Sequence, residues 1–189
     1  MKNQNLRIMV QCAILVAMGT VLSFLKLYEA PLGGSVTILS MLPICLAGLM
    51  HGPAWGFGTA FVYSVIQLLV SSCFAWGLTP MVLLVCILFD YIVAFTALGV
   101  TGLFANRGRL GMCVGVAAAI ALRMVCHYIT GVTIWESSMP EEWNNVWLYS
   151  LAYNGFYMVP EMVFTMIGTI VLTAIPQFNK LMKDSKFSK

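Results

Sequence analysis

Residues 80–104 read PMVLLVCILFDYIVAFTALGVTGLF, an unbroken apolar stretch of 25 residues in which Asp90 is the single charged side chain. About 20 apolar residues in a helix cross the hydrocarbon core of a bilayer, so this stretch predicts a transmembrane helix. Pro80 suits the first turn of such a helix. The apolar residues are continuous rather than alternating, which argues against a strand of a membrane β-barrel.

The rest of the chain has the same character. Of its 189 residues, 60% are hydrophobic and only 9% are charged, whereas a soluble domain carries about 25% charged residues. This composition excludes a soluble globular protein, a disordered chain and a disulfide-stapled secreted module. We predict an all-α membrane protein, one domain over residues 1–189 with six transmembrane helices, at about residues 6–27, 36–50, 54–72, 80–104, 110–134 and 147–175.

The charged residues between the predicted spans are sorted by sign. Acidic residues gather on one side, at Glu29, Glu136, Glu141 and Glu142. Eight of the ten basic residues fall on the other side, at Lys2, Arg7, Arg107, Arg109, Lys180, Lys183, Lys186 and Lys189. By the positive-inside rule, this distribution predicts that both termini are cytoplasmic.

Several chemistries lack their sequence signatures. There is no H-E-x-x-H zinc motif, no G-x-S-x-G elbow, and no Gly-Lys dipeptide of a P-loop. The six cysteines form no C-x-x-C pair, and inside an apolar span a thiol acts as a small hydrophobe. No basic patch suggests a nucleic-acid partner. We therefore expect neither an enzyme nor a metal or cofactor site, and any ATP hydrolysis must come from another chain.

Three charged side chains interrupt the apolar spans: Asp90, Arg123 and Glu161. Charges at this depth are costly and are usually functional. His127 follows Arg123 by one helical turn and shares its face. The alternating direction of the spans places Asp90, Arg123 and His127 at middle or outer depth, with Asn154 at a comparable level.

These residues have two interpretations. Asp90 and Arg123 could pair to hold the bundle together, while the tryptophans form an interfacial belt. Alternatively, they form an outward-facing pocket for a flat cationic heterocycle, because aromatic faces attract a cation and an amide offers both a donor and an acceptor. Tyr149 and Asn154 are five residues apart, about 140° around a helix, so both face one pocket only if Tyr149 lies in the loop or the first turn. The aromatic residues at the outer mouth are Trp76, Trp135, Trp143, Trp147 and Tyr149.

Three segments carry a family resemblance. They are Phe89-Asp-Tyr-Ile-Val-Ala-Phe with Leu98-Gly-Val-Thr-Gly-Leu-Phe104, His127-Tyr-Ile-Thr-Gly-Val-Thr-Ile-Trp135, and Tyr149-Ser-Leu-Ala-Tyr-Asn-Gly155. In order and spacing they resemble the thiamine-specific branch of the substrate-binding S components of energy-coupling factor (ECF) vitamin transporters. The resemblance covers nearly the whole chain.

The resemblance implies a six-helix bundle in a bacterial plasma membrane that binds its vitamin near the outer face and catalyses no reaction. A transmembrane coupling protein and two cytoplasmic ATPases would be its partners, and the loaded bundle would topple in the membrane to release its cargo. Contact with the coupling protein would fall on an A-x-x-x-A motif, here Ala13 and Ala17. Thiamine would be cargo rather than cofactor, contacted by Asp90, Tyr91, His127, Trp135, Tyr149 and Asn154.

Three departures from the family pattern bear on the ligand. Asp90 stands where the family usually has Glu, the loop after span 1 offers Tyr28 and Glu29 instead of a tryptophan, and Glu161 has no counterpart. The expected ligand is therefore thiamine or a close relative. The rival hypothesis is a stand-alone proton-coupled transporter of a small cationic heterocycle, with Asp90, Arg123 and Glu161 as a proton path. Such folds are commonly built from repeats, and no repeat is visible in this sequence.

Overall fold

A computed structural model describes residues 2–31 and 33–185. Two short strands, β1 (Lys26–Glu29) and β2 (Ser35–Thr37), separate the first helix from the second, and single 3₁₀ turns cover Cys73–Ala75 and Glu136–Ser138. The helices are α1 (Lys2–Ser23), α2 (Leu42–His51), α3 (Pro53–Val70), α4 (Pro80–Phe104), α5 (Gly108–Thr133), α6 (Val146–Ala174) and α7 (Pro176–Ser185).

The predicted all-α membrane fold is confirmed. Within the described residues, five helices are long and apolar enough to cross a membrane: α1, α3, α4, α5 and α6. The sixth apolar helix, α2, has ten residues and is therefore about 15 Å long, roughly half of the hydrocarbon thickness. All ten are buried, because α2 packs against α1, α3, α4, α6 and α7. So short a helix is tolerated at membrane depth only where protein surrounds its ends.

The structure differs from the prediction between α1 and α2. Span 1 was expected to run to residue 27 and span 2 to begin at residue 36, but α1 ends at Ser23 and α2 begins only at Leu42. The strands between them use the backbone N–H and C=O groups that an open loop would leave unpaired. Gly33, with a φ of 92°, lies in the connection between the strands. The antiparallel register is Lys26–Thr37, Tyr28–Val36 and Glu29–Ser35.

The helix α4 is irregular along its length. Residues Cys86–Val93 form a π-helical segment, and Ala97–Phe104 form a 3₁₀ segment. A π segment widens the helix by one residue per turn and is frequent at functional sites. Asp90 lies inside this wide segment and is 9% exposed.

Glycines let α2, α3 and α4 approach one another closely. A Cβ on Gly56 would lie 2.8 Å from the Cα of Gly48, and a Cβ on Gly102 would lie 2.5 Å from the Cα of Pro53. Gly52, with a φ of 83°, makes the turn from α2 into α3. Small residues permit this packing between helices in lipid, where close van der Waals contact replaces the hydrophobic effect.

We expect Gly99→Ala to lower the free energy of unfolding by about 1–3 kcal/mol. The added Cβ would lie 2.6 Å from the Cα of Phe57, a backbone atom that cannot rotate away. Unfolding of the purified protein in detergent measures the effect. Gly58→Ala is the matched control, because nothing lies within 4 Å of its Cβ, and it should be neutral or stabilise by up to about 1 kcal/mol. Equal losses at both positions would contradict the packing argument.

Candidate functional site

A cavity of about 420 Å³ opens at the end of the bundle where α5 ends and α6 begins. Residues from α1, α3, α4, α5 and α6 and from the hairpin formed by β1 and β2 line its wall. All six residues that the family resemblance implies as ligand contacts line it: Asp90, Tyr91, His127, Trp135, Tyr149 and Asn154.

The Asp90 carboxylate lies at the centre of a hydrogen-bond network. Its Oδ1 is 2.9 Å from Nδ1 of His127 and also accepts a hydrogen bond from the Thr130 hydroxyl. Its Oδ2 accepts a longer hydrogen bond, of 3.3 Å, from Nε1 of Trp135. A carboxylate oxygen has two acceptor positions, so Oδ1 is saturated by the protein while Oδ2 keeps room for a further donor.

Arg123 determines which nitrogen of His127 carries the proton. Its Nε donates to His127 Nε2 at 3.3 Å, so Nε2 is the acceptor and the ring proton lies on Nδ1, where it is donated to Asp90. The guanidinium is held from its other sides by the Phe95 ring, 3.9 Å from the ring centroid, and by the Met41 sulfur at 3.2 Å.

The proposed pairing of Asp90 with Arg123 is not a direct ion pair. Among the described residues, Lys26 and Glu29 form an ion pair within 4.0 Å, whereas the partner of Asp90 at 2.9 Å is the neutral imidazole of His127. Arg123 therefore acts on Asp90 through the imidazole of His127.

Asn154 is already used by the protein. Its Nδ2 donates to Ser150 O at 2.9 Å and lies 3.3 Å from His127 O, while its Oδ1 accepts from the Tyr157 hydroxyl at 2.6 Å. One acceptor position on Oδ1 is all that this amide has left for a ligand. Asn154 thus also ties α6 to α5 beside the histidine.

Tyr149 satisfies the condition set by its spacing from Asn154. The Asn145 side chain caps α6 by accepting from the backbone N–H groups of Trp147 and Leu148, so Tyr149 lies in the first turn. From there both Tyr149 and Asn154 reach the cavity wall.

Aromatic rings form much of the wall. Trp135 meets Trp76 edge to face, with ring centroids 5.4 Å apart, and a Cβ on Gly33 would lie 3.2 Å from the Trp76 ring. Along α6, the rings of Tyr149, Tyr153 and Tyr157 follow one another at centroid distances of 5.9 Å. The spacing of four residues between these tyrosines was a usable sequence signal for the last two, which sequence reasoning missed.

The other tryptophans of the outer mouth lie outside the described cavity wall. Trp147 is 58% exposed and packs near Tyr128, and Trp143 meets Tyr149 edge to face at 5.4 Å. Tyr28, in the loop where a tryptophan was expected, packs against Phe156 at 5.2 Å.

Ala13 and Ala17 occupy a different surface. Both are exposed on α1, four residues apart, and neither lines the cavity, which α1 reaches only at Ser23.

Within residues 2–31 and 33–185, no three His, Cys, Asp or Glu side chains come together as ligands for a metal ion. The aromatic rings and the carboxylate of the cavity wall are chemically suited to a cationic ring, which the rings would attract and the carboxylate would neutralise.

Comparisons with known proteins agree on one family. The family model described as "Thiamine transporter protein" matches residues 9–181. The thiamine transporter ThiT of Bacillus subtilis (strain 168) is 33% identical over 178 residues, which cover 87% of this chain and 88% of that protein. ThiT of Lacticaseibacillus paracasei is 25% identical over 203 aligned positions, covering 98% and 96% of the two chains.

The solved structure of ThiT from Listeria monocytogenes has the same fold, with a TM-score of 0.74 over 92% of this chain and 97% of that one, at 23% identity. With the family model spanning most of the sequence and a relative one-third identical over most of its length, this chain belongs to the thiamine transporter protein family.

Proposed function

We propose that this protein binds thiamine as the S component of an ECF-type importer in the bacterial plasma membrane. The observation that carries the proposal is the Asp90 carboxylate, which lies between His127 and Trp135 with one oxygen left available in an aromatic cavity. Thiamine has two flat rings joined by a methylene group, one of them a cationic thiazolium, and hydrogen-bond donors at its periphery, so it matches the charge and the aromatic walls of this cavity.

The sequence has no Gly-Lys dipeptide of a P-loop, and ATP hydrolysis by partner proteins is the energy source that this proposal assigns to uptake. We propose a transmembrane coupling protein and two cytoplasmic ATPases, with the exposed Ala13 and Ala17 face of α1 as the contact with the coupling protein. Methyl groups let a partner helix approach to van der Waals contact. Both termini then lie in the cytoplasm, as the charge distribution favours.

The contacts of the buried charges favour this proposal over a stand-alone proton-coupled transporter. A proton path through the membrane requires ionisable groups within transfer distance of one another. Arg123 makes no ion pair within 4.0 Å with Asp90 or with Glu161 in the described part of the chain. Its hydrogen bond to His127 connects it to Asp90, but no hydrogen bond or ion pair among the described residues continues from Arg123 to Glu161, so the three charges do not form one continuous path.

Titration of the purified protein with thiamine tests the proposal, and tryptophan fluorescence is a direct readout. Trp135 lies in the cavity wall, so a bound cationic ring should quench its emission. We expect Trp135→Ala to remove most of the quench.

Trp147→Ala is the matched control, because Trp147 is 58% exposed and outside the described cavity wall. This variant should keep the full quench. A thiamine titration with no saturable signal in the unmodified protein, by fluorescence or calorimetry, would overturn the proposed function.

A further inference from the structure

Glu161 is a buried carboxylate that the proposed contacts of the ligand do not use. It lies on α6 and is 1% exposed, and its side chain forms part of the cavity wall. It is seven residues beyond Asn154, about 10 Å further along the helix axis, so it belongs to the inner end of the cavity. Arg123 and Tyr63 line the same cavity.

The two oxygens of Glu161 have different environments. Oε1 accepts hydrogen bonds from the backbone N–H of Thr37 and from its hydroxyl, the latter at 2.5 Å, and the Thr37 hydroxyl is 2.6 Å from that of Ser40. Oε2 is equally buried, and no described residue donates a hydrogen bond to it. The carboxylate thus holds the end of β2 with one oxygen and leaves the other unused.

Holding the hairpin does not explain why this residue is charged. A glutamine would accept the same two hydrogen bonds from Thr37 through its amide oxygen. Burying a carboxylate costs more free energy than burying an amide, and leaving one of its oxygens without a donor adds to that cost. The second oxygen therefore needs a donor that the protein itself does not supply.

We infer that Glu161 forms an inner recognition subsite, in which Oε2 accepts a hydrogen bond from an N–H or O–H group at the end of the ligand remote from Asp90. This inference rests on the proposed function. Thiamine offers two such donors on either side of its cationic ring, the amino group of the pyrimidine and the hydroxyl of the hydroxyethyl arm. The shared chemistry is a neutral donor meeting a buried anionic acceptor, which makes a strong hydrogen bond.

The test combines two variants with three ligands: thiamine, oxythiamine, which has an oxo group in place of the amino group, and the analogue with ethyl in place of hydroxyethyl. Glu161→Gln should weaken thiamine binding by at least about tenfold, since the anionic acceptor is lost and an amide donor can take its place. The same substitution should change the affinity little for the one analogue that lacks the group donating to Glu161. That analogue identifies which group Glu161 contacts.

Thr165→Val is the matched control, because it removes a hydrogen bond to the backbone carbonyl of Glu161 from outside the described cavity wall and leaves the carboxylate in place. It should lower the thermal unfolding temperature while changing thiamine affinity by less than about threefold. Glu161→Gln should weaken thiamine binding by at least about tenfold without lowering the thermal unfolding temperature.

The subsite is refuted if Glu161→Gln binds thiamine like the unmodified protein, or if it weakens all three ligands equally. If the unmodified protein binds none of the three, the proposed function itself fails and the subsite fails with it.

Discussion

Asp90→Asn is expected to weaken thiamine binding by at least about tenfold and up to about a hundredfold, because a buried charge-assisted contact contributes about 1.5–3 kcal/mol. The substitution keeps the size of the side chain and removes its charge. His127 and Thr130 both donate to Oδ1, so the amide oxygen can take that position. The amide nitrogen would then present donors, rather than an acceptor, to the cationic ligand at the position of Oδ2. Calorimetric titration of the purified variant measures the loss.

Asp90→Glu is the control for this experiment, since it keeps the charge and introduces the residue that the family resemblance implies at this position. It should retain most of the affinity. If Asp90 only braces the network of His127 and Arg123, Asp90→Asn should instead lower the unfolding temperature and leave the affinity of the folded fraction intact. That pattern would remove Asp90 from the ligand site.

The second large effect concerns transport rather than binding. Ala17→Trp should abolish thiamine uptake in cells and weaken co-purification with the proposed coupling protein, while the purified variant binds thiamine normally. Ala13 and Ala17 share an exposed face of α1, and an indole there would hold a partner helix away. The cavity should be unaffected, because α1 reaches it only at Ser23, about 9 Å further along the helix.

Ala121→Trp is the matched control, since Ala121 is also an exposed alanine in a membrane-spanning helix, α5. Its uptake should be normal. Two results would show that the A-x-x-x-A motif is not a partner contact: uptake that persists without a coupling module, or an Ala17→Trp protein that neither folds nor binds.

The long apolar stretches were sufficient to predict the fold class, and the rare charges inside them pointed to the cavity. Asp90 and His127 come from α4 and α5, and their positions in the apolar stretches predict a similar depth but not the hydrogen bond between them. It could not show that Arg123 would reach Asp90 through His127, because that depends on the rotation of two helices. Nor could it show the π-helical segment around Asp90, since no Pro or Gly occurs within Cys86–Val93.

The segment between α1 and α2 was harder for a different reason. Residues 36–50 are apolar almost throughout, and hydropathy alone does not distinguish a helix that faces lipid from a short segment buried in protein. The charges of Lys26 and Glu29 marked a loop, but only the backbone pairing of β1 with β2 shows that the loop is ordered. The hydrogen bonds to Oε1 of Glu161 depend on this ordered segment, because their donor, Thr37, is the last residue of β2.

The burial of α2 has a consequence for how the chain enters the membrane. A helix of ten residues is too short to be retained in the bilayer by its own hydrophobicity, and its buried His51 has no hydrogen-bond partner on either ring nitrogen among the described residues. Gly52 joins it to α3 in a tight turn, so the two helices form a hairpin. The order of synthesis then matters, because α4 and α6, which also cover α2, leave the ribosome after it. Membrane integration of α2 is thus a co-operative step completed by later helices.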